Sequence, residues 1–131
     1  MKQRRVANRA EGKKLGQPAP ELIPEDVERV VRRDFSAHQY DDAIDILNGY
    51  VSAPECAAIR VRVAALKLAN GDLDSLRKYI ASAQRDYRDV LAAAEYPEYW
   101  KATSRVCDLP ISEHQRLVDA DWKQYESWLR K

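Results

Sequence analysis

The side chains best suited to nucleophilic or metal chemistry in this sequence are few: His38, Cys56, Cys107 and His114. Zinc ligands come in closely spaced pairs, and no two of these four stand at such a spacing. The residues therefore predict no metal and no cofactor. Cys56 and Cys107 read as reduced thiols of a cytosolic protein rather than as a disulfide framework. General acid–base work needs a titratable group within hydrogen-bond reach of an orienting partner. The nearest approach to such a pair is His114 with Asp121 on one helix face, about 10 Å apart at roughly 1.5 Å per residue, which is too far for a direct bond. Phosphate-cradling loops need glycines clustered ahead of a helix, and the four glycines here are scattered. No Ser-His-Asp or Cys-His arrangement is identifiable. An enzyme of unknown class is thus a second alternative only, and the expectation is that the chain is not an enzyme.

A different chemistry, salt-sensitive contact with phosphate, is raised by the amino terminus. Lys2, Arg4, Arg5, Arg9, Lys13 and Lys14 oppose only Glu11, so residues 1–20 carry +5; with +1 for the whole chain, the remainder carries −4. Gly12, Gly16, Pro18 and Pro20 interrupt any regular structure there. The expected organisation is a flexible basic arm, residues 1–20, ahead of a single helical domain, residues 21–131. Arg4, Arg5, Arg9, Lys13 and Lys14 are the candidate phosphate-contacting residues, and a nucleic-acid-associated protein is the first alternative. Such surfaces usually interleave aromatics with their cations, and this arm does not. It also lacks the apolar segment of a secretory signal. No stretch approaches the roughly 20 apolar residues that span a bilayer, so no membrane association and a cytoplasmic location are expected.

The elements that must position these groups are helices. Hydrophobic residues make up 45% and charged residues 33% of the chain, with abundant Ala, Leu, Arg and acids and few β-branched runs. Pro24 suits a first helical turn, with Glu25, Asp26 and Glu28 at its positive end and Val27, Val30, Val31 and Phe35 as its buried stripe. A second helix over about 39–51 places Tyr40, Ala43, Ile44, Leu47 and Val51 on one side. Ser52 and Glu55 form a capping box around Pro54, and the helix that follows is apolar on two faces, which makes it central. Arg62 falls inside its apolar band and needs a carboxylate partner. Asn70-Gly71 ends that helix and Asp72 caps the next.

The stretch QRDYRDVLAAAEYPEYW, residues 84–100, closes this fourth helix. Leu73, Leu76, Ile80, Ala83, Tyr87, Val90, Leu91 and Ala94 keep one unbroken stripe, predicting a continuous helix over about 73–95 that Pro97 terminates. In that frame Tyr87 is core, Arg85 and Asp89 are a solvated pair, and Asp86 borders the stripe as the partner for Arg62. Tyr96, Tyr99 and Trp100 leave the stripe and form a candidate interaction patch. A last helix starts with Ser112 as N-cap and Gln115 completing a box, and carries His114, Val118, Trp122, Tyr125 and Leu129 inward. Leu117, Asp121 and Trp128 widen one side of that stripe.

Two resemblances follow from these segments. DFSAHQYDDAIDIL and KLANGDLDSLRKYI are related helix-turn-helix segments 33 residues apart, and over about 24–95 this spacing resembles the helical hairpins of tetratricopeptide repeats. The Trp-Leu-Gly-Tyr pattern of those repeats is absent from both first helices. Residues 60–99, RVRVAALKLANGDLDSLRKYIASAQRDYRDVLAAAEYPEY, resemble a family of small, uncharacterised bacterial helical proteins. They share a Leu-rich helix, a Gly-Asp-Leu turn, Asp-Tyr-Arg-Asp-Val-Leu and Ala-Glu-Tyr-Pro. That resemblance implies a bacterial cytosolic origin and assigns no residue a role. The expected fold is all-α, about five helices in antiparallel hairpins, either tetratricopeptide-like or an orthogonal bundle. The expected function is a protein–protein interaction or scaffold module whose partner is another protein or a second copy. The motive is the surplus of amphipathic aromatics, three Trp and seven Tyr.

Overall fold

The computed structural model describes residues 18–105 and 110–131. Arg4, Arg5, Arg9, Lys13, Lys14 and Cys107 lie outside the described residues. The fold is all-α: among the described residues there are six α-helices and no strand. They are α1 (Pro24–Asp34), α2 (Tyr40–Asn48), α3 (Glu55–Ala69), α4 (Leu73–Glu95), α5 (Pro97–Arg105) and α6 (Ile111–Leu129), with a 3-10 turn over Ala37–Gln39. They gather into two compact units. One is Glu21–Ala94; the other is Glu95–Lys131 with the described end of Met1–Pro20. None of the described helices is long and apolar enough to cross a membrane.

In the first unit, α1 opens with Pro24 at its first position, and the Ile23 N–H donates to Asp26 Oδ2 at 2.9 Å. This satisfies one backbone donor that a helix start leaves without an intrahelical partner. Val27, Val30, Val31 and Phe35 are all buried, as their spacing predicts, and α1 packs on α2 and α3. Eight of the fifteen residues of α3 are buried, from Ala58 and Ile59 through Val63 and Leu66 to Ala69. Each Val, Leu or Ile so placed contributes about 1.5–3 kcal/mol relative to exposure, and this makes α3 the core of the unit. It ends at Asn70 (φ 52°) and Gly71 (φ 82°), both left-handed. A Cβ on Gly71 would stand 2.8 Å from the Asp34 carbonyl oxygen, so the tight α3–α4 turn needs glycine for space as well as for conformation. Asp72 then accepts the Ser75 N–H at 2.9 Å, the cap its sequence position predicts.

Two boundaries in this unit differ from the sequence expectation. α2 stops at Asn48 with Gly49 as its C-cap, so the chain leaves the helix before Val51. Tyr50 takes the buried place instead, and Val51 is 75% exposed. α3 begins with Pro54 as N-cap and no side-chain cap bond. The Ser52–Glu55 box does not form, because Glu55 is the first helical residue and its carboxylate turns to Arg62.

In the second unit α5 packs on α6. Tyr96, just ahead of α5, is buried, and its hydroxyl donates to the Pro18 carbonyl. α6 starts directly after Pro110, not at Ser112, and Gln115 bonds Asp119 at 2.9 Å rather than closing a box. Val118, Tyr125 and Leu129 form its buried stripe. Trp122 stacks on Tyr125 with ring centroids 6.1 Å apart, and the tilted Trp128 ring has its centroid 5.8 Å from that of Tyr125.

Candidate functional site

The apolar stripe of α4 is continuous in sequence, but its backbone is not. Asp86 sits at φ −157°, ψ 99°, an extended conformation inside an otherwise helical segment. A helix that restarts there has unpartnered N–H groups in its first turn. Asp86 supplies an acceptor for one of them, taking the Arg88 N–H at 3.1 Å as an N-cap does. The Arg88 guanidinium closes over the same carboxylate, Nε to Oδ1 at 3.0 Å and Nη2 to Oδ2 at 3.1 Å. Hydrogen bonding from the Arg88 side chain, and then from its backbone N–H, holds the Asp86 carboxyl below its ordinary pKa. Asp86 is therefore a carboxylate at neutral pH, anchored to its own helix.

The break turns Tyr87 out of the stripe. Ala83 and Val90, on either side of it, are buried, whereas Tyr87 is 47% exposed, contrary to the core position its spacing predicts. Arg85 and Asp89 are both exposed as expected, but Arg85 donates to Ser82 Oγ at 3.3 Å and does not pair with Asp89. An open concavity of about 550 Å³ lies at the break, lined by residues 83–88 and by residues 49–51 of the α2–α3 connection. Gln84 spans its two sides, donating from Nε2 to the Gly49 carbonyl at 2.8 Å.

Arg62 lies behind the wall formed by residues 49–51 and bonds the Tyr50 carbonyl within it. Its side chain is only 12% exposed. Nε donates to the Leu47 and Tyr50 carbonyls at 3.0 and 3.2 Å, and Nη2 donates to Tyr50 at 2.8 Å. Nη1 meets Glu55 Oε2 at 3.5 Å. The guanidinium thus satisfies carbonyls at the end of α2 and fixes the path of residues 49–51. The structure does not bring Arg62 and Asp86 into a pair. In the broken helix Asp86 is committed to Arg88, while Arg62 is turned to the carbonyls of Leu47 and Tyr50 and to Glu55.

Of the proposed aromatic patch, Trp100 is 42% exposed, Tyr99 is half-buried and Tyr96 is buried. The reason is the second helix start in this region. Asp121 on α6 is 1% exposed and accepts the Glu98 and Tyr99 N–H groups at 3.3 and 2.8 Å. It thereby caps α5 from 22 residues away and pulls its first turn inward. The His114 ring meets Tyr99 edge-on at 5.4 Å, and burial pushes the Tyr99 phenol above its ordinary pKa. His114 Nδ1 is buried with no hydrogen-bond partner among the described residues. The two residues nearest to an acid–base pair are therefore used for helix capping and ring contact. Among the described residues, no three of His, Cys, Asp and Glu gather where a metal could be held.

Sequence reasoning singled out residues 84–100 but missed the wall at 49–51, Gln84 as its strap and Asp86 as a cap. For Asp86 a signal was present: an N-cap residue type with Asp89 in the turn that follows. For residues 49–51 there was none, since only the folded chain brings them to α4. Comparison with protein-family models, curated proteins and solved structures returns no match.

Proposed function

We propose that this chain is a protein–protein interaction module, and that it docks a short segment of a partner protein at the break in α4. The observation that carries the reading is the concavity opened at Asp86, with Tyr87 half-exposed on one side and Val51 exposed on the other. Amphipathic aromatics beside apolar walls supply much of the energy of protein contacts. The charge of the site favours one kind of segment. Arg88 is neutralised by Asp86, while Arg85 donates to the neutral Ser82 hydroxyl. A segment with one apolar side chain for Tyr87 and Val51 and a nearby carboxylate for Arg85 complements it. Binding rather than chemistry fits the lining: it contains neither histidine nor cysteine, and its one carboxylate is already clasped.

The test is selection from a random peptide library displayed against the immobilised full chain. Enrichment of peptides pairing an apolar residue with Asp or Glu is the expected result. Tyr87→Ala should weaken those peptides at least tenfold, which corresponds to about 1.4 kcal/mol. Enrichment indifferent to Tyr87→Ala and to Arg85→Ala, or no enrichment, would overturn the reading.

A further inference from the structure

The break in α4 conflicts with the pattern of the helix that contains it. Ala83, Tyr87, Val90, Leu91 and Ala94 recur at the spacing of one helical face, and a stripe so regular favours a continuous helix buried along that face. The structure realises the stripe on both sides of Tyr87 and interrupts it at Asp86. Two conformations of the same segment therefore compete. The broken one leaves a half-exposed Tyr87 out of the core and sustains an open concavity. The continuous one restores helical hydrogen bonding through residue 86 and returns Tyr87 to the face shared by Ala83 and Val90.

What favours the broken state is local and identifiable. Asp86 accepts the Arg88 backbone N–H and the Nε and Nη2 donors of the Arg88 guanidinium, three bonds between residues two apart. In a continuous helix, side chains two residues apart do not face each other, and the Arg88 N–H would bond the carbonyl four residues back. The clasp is thus available only to the broken backbone. Gln84 adds a second constraint by tying the end of the first half of α4 to Gly49.

From this we infer that the Asp86–Arg88 clasp is a conformational latch: closed, it holds α4 broken and the concavity open; released, it lets α4 become continuous and Tyr87 fill the concavity. Any group that takes Arg88 from Asp86, or Asp86 from Arg88, shifts the segment toward the filled state. The latch itself depends only on α4. Its role as the gate of a docking site rests on the function proposed above.

The experiment is NMR on the full chain, wild type against Asp86→Ala, following backbone secondary shifts of residues 84–90 and the exposure of the Tyr87 ring to a soluble paramagnetic probe. The wild type should show a non-helical shift at residue 86 and a reachable ring. Asp86→Ala should give helical shifts through residue 86, slower amide exchange at Tyr87 and Arg88, and a ring shielded from the probe. Arg88→Ala, which keeps the cap to the backbone but removes the guanidinium, should move the same signals in the same direction by less. If both variants keep the break and the exposed ring, the latch is wrong. If Asp86→Ala unfolds the chain and Arg88→Ala leaves every signal unchanged, it is wrong as well. Straightening with undiminished binding of selected peptides would uphold the latch and remove the docking site it was thought to gate.

Discussion

The helix starts at Asp86 and at Pro97 are eleven residues apart in the same stretch of chain, and an aspartate caps each of them. At the first, the carboxylate comes from the break itself and bonds within two residues, in a partly exposed place. At the second it comes from Asp121 on α6, is 1% exposed, and reaches the Glu98 and Tyr99 amides. A proline enforces the second start, because it cannot continue a preceding helix. Nothing in the covalent chain enforces the first. A local, solvated cap can be made and unmade without disturbing a core. A buried cap contributed by a distant helix is part of the core. The difference separates a segment suited to change shape from one that holds shape, and it assigns the two roles to neighbouring parts of one motif.

Removing the buried cap should have the largest effect. Asp121→Ala leaves two amides of α5 without their acceptor and should cost about 2–3 kcal/mol in urea-induced unfolding. Asp121→Asn, which keeps an acceptor oxygen, should recover part of that loss. A wild-type midpoint for Asp121→Ala would erase the contrast between the two caps. Arg62 should come next, since it does for the carbonyls at the end of α2 what Asp121 does for the amides of α5. Arg62→Ala should cost about 2 kcal/mol, and Arg62→Met less, because methionine refills the volume although it restores no hydrogen bond.

Asp86→Ala should sharpen the contrast from the other side. Its effect on global stability should be smaller than that of Asp121→Ala, while far-UV circular dichroism should show helix content rising rather than falling. The smallest effect should appear on acidification. The Ser75 side chain and N–H hold Asp72 below its ordinary pKa, and Arg88 does the same for Asp86. For a carboxyl depressed in the folded state, the stabilisation is present above the unfolded value of about 4 and is lost as pH falls through the folded value. Between neutral pH and about pH 5 the unfolding midpoint should therefore stay flat with respect to these groups. Below about pH 4 it should decline, and Asp86→Asn should flatten part of that decline.

How much of this was legible beforehand depends on the range of the interaction concerned. The all-α fold, the buried stripe of α1, the two-faced burial of α3, the Asn70-Gly71 stop and the Asp72 cap all follow from residues within a turn or two of one another. Sequence spacing reports such relations directly. The same holds for the end of α4, where Pro97 forbids continuation. Where two local rules disagree, spacing alone gave the wrong answer. The stripe through Tyr87 argues for a continuous helix, while Asp86 ahead of Arg88 argues for a restart, and the broken backbone places Tyr87 outside the core. The partners of Arg62 were beyond local reading for a different reason: a guanidinium in an apolar band requires acceptors, and carbonyls near the end of α2 take most of its donors beside the Glu55 carboxylate, where Asp86 was expected. Asp121 reads as one more acid at the edge of an amphipathic helix until α5 is folded against it. The sequence by itself determined that the chain is helical and which residues α1 and α3 bury. Only the tertiary structure decided which polar groups meet, because those contacts depend on distances between segments that no spacing along the chain records.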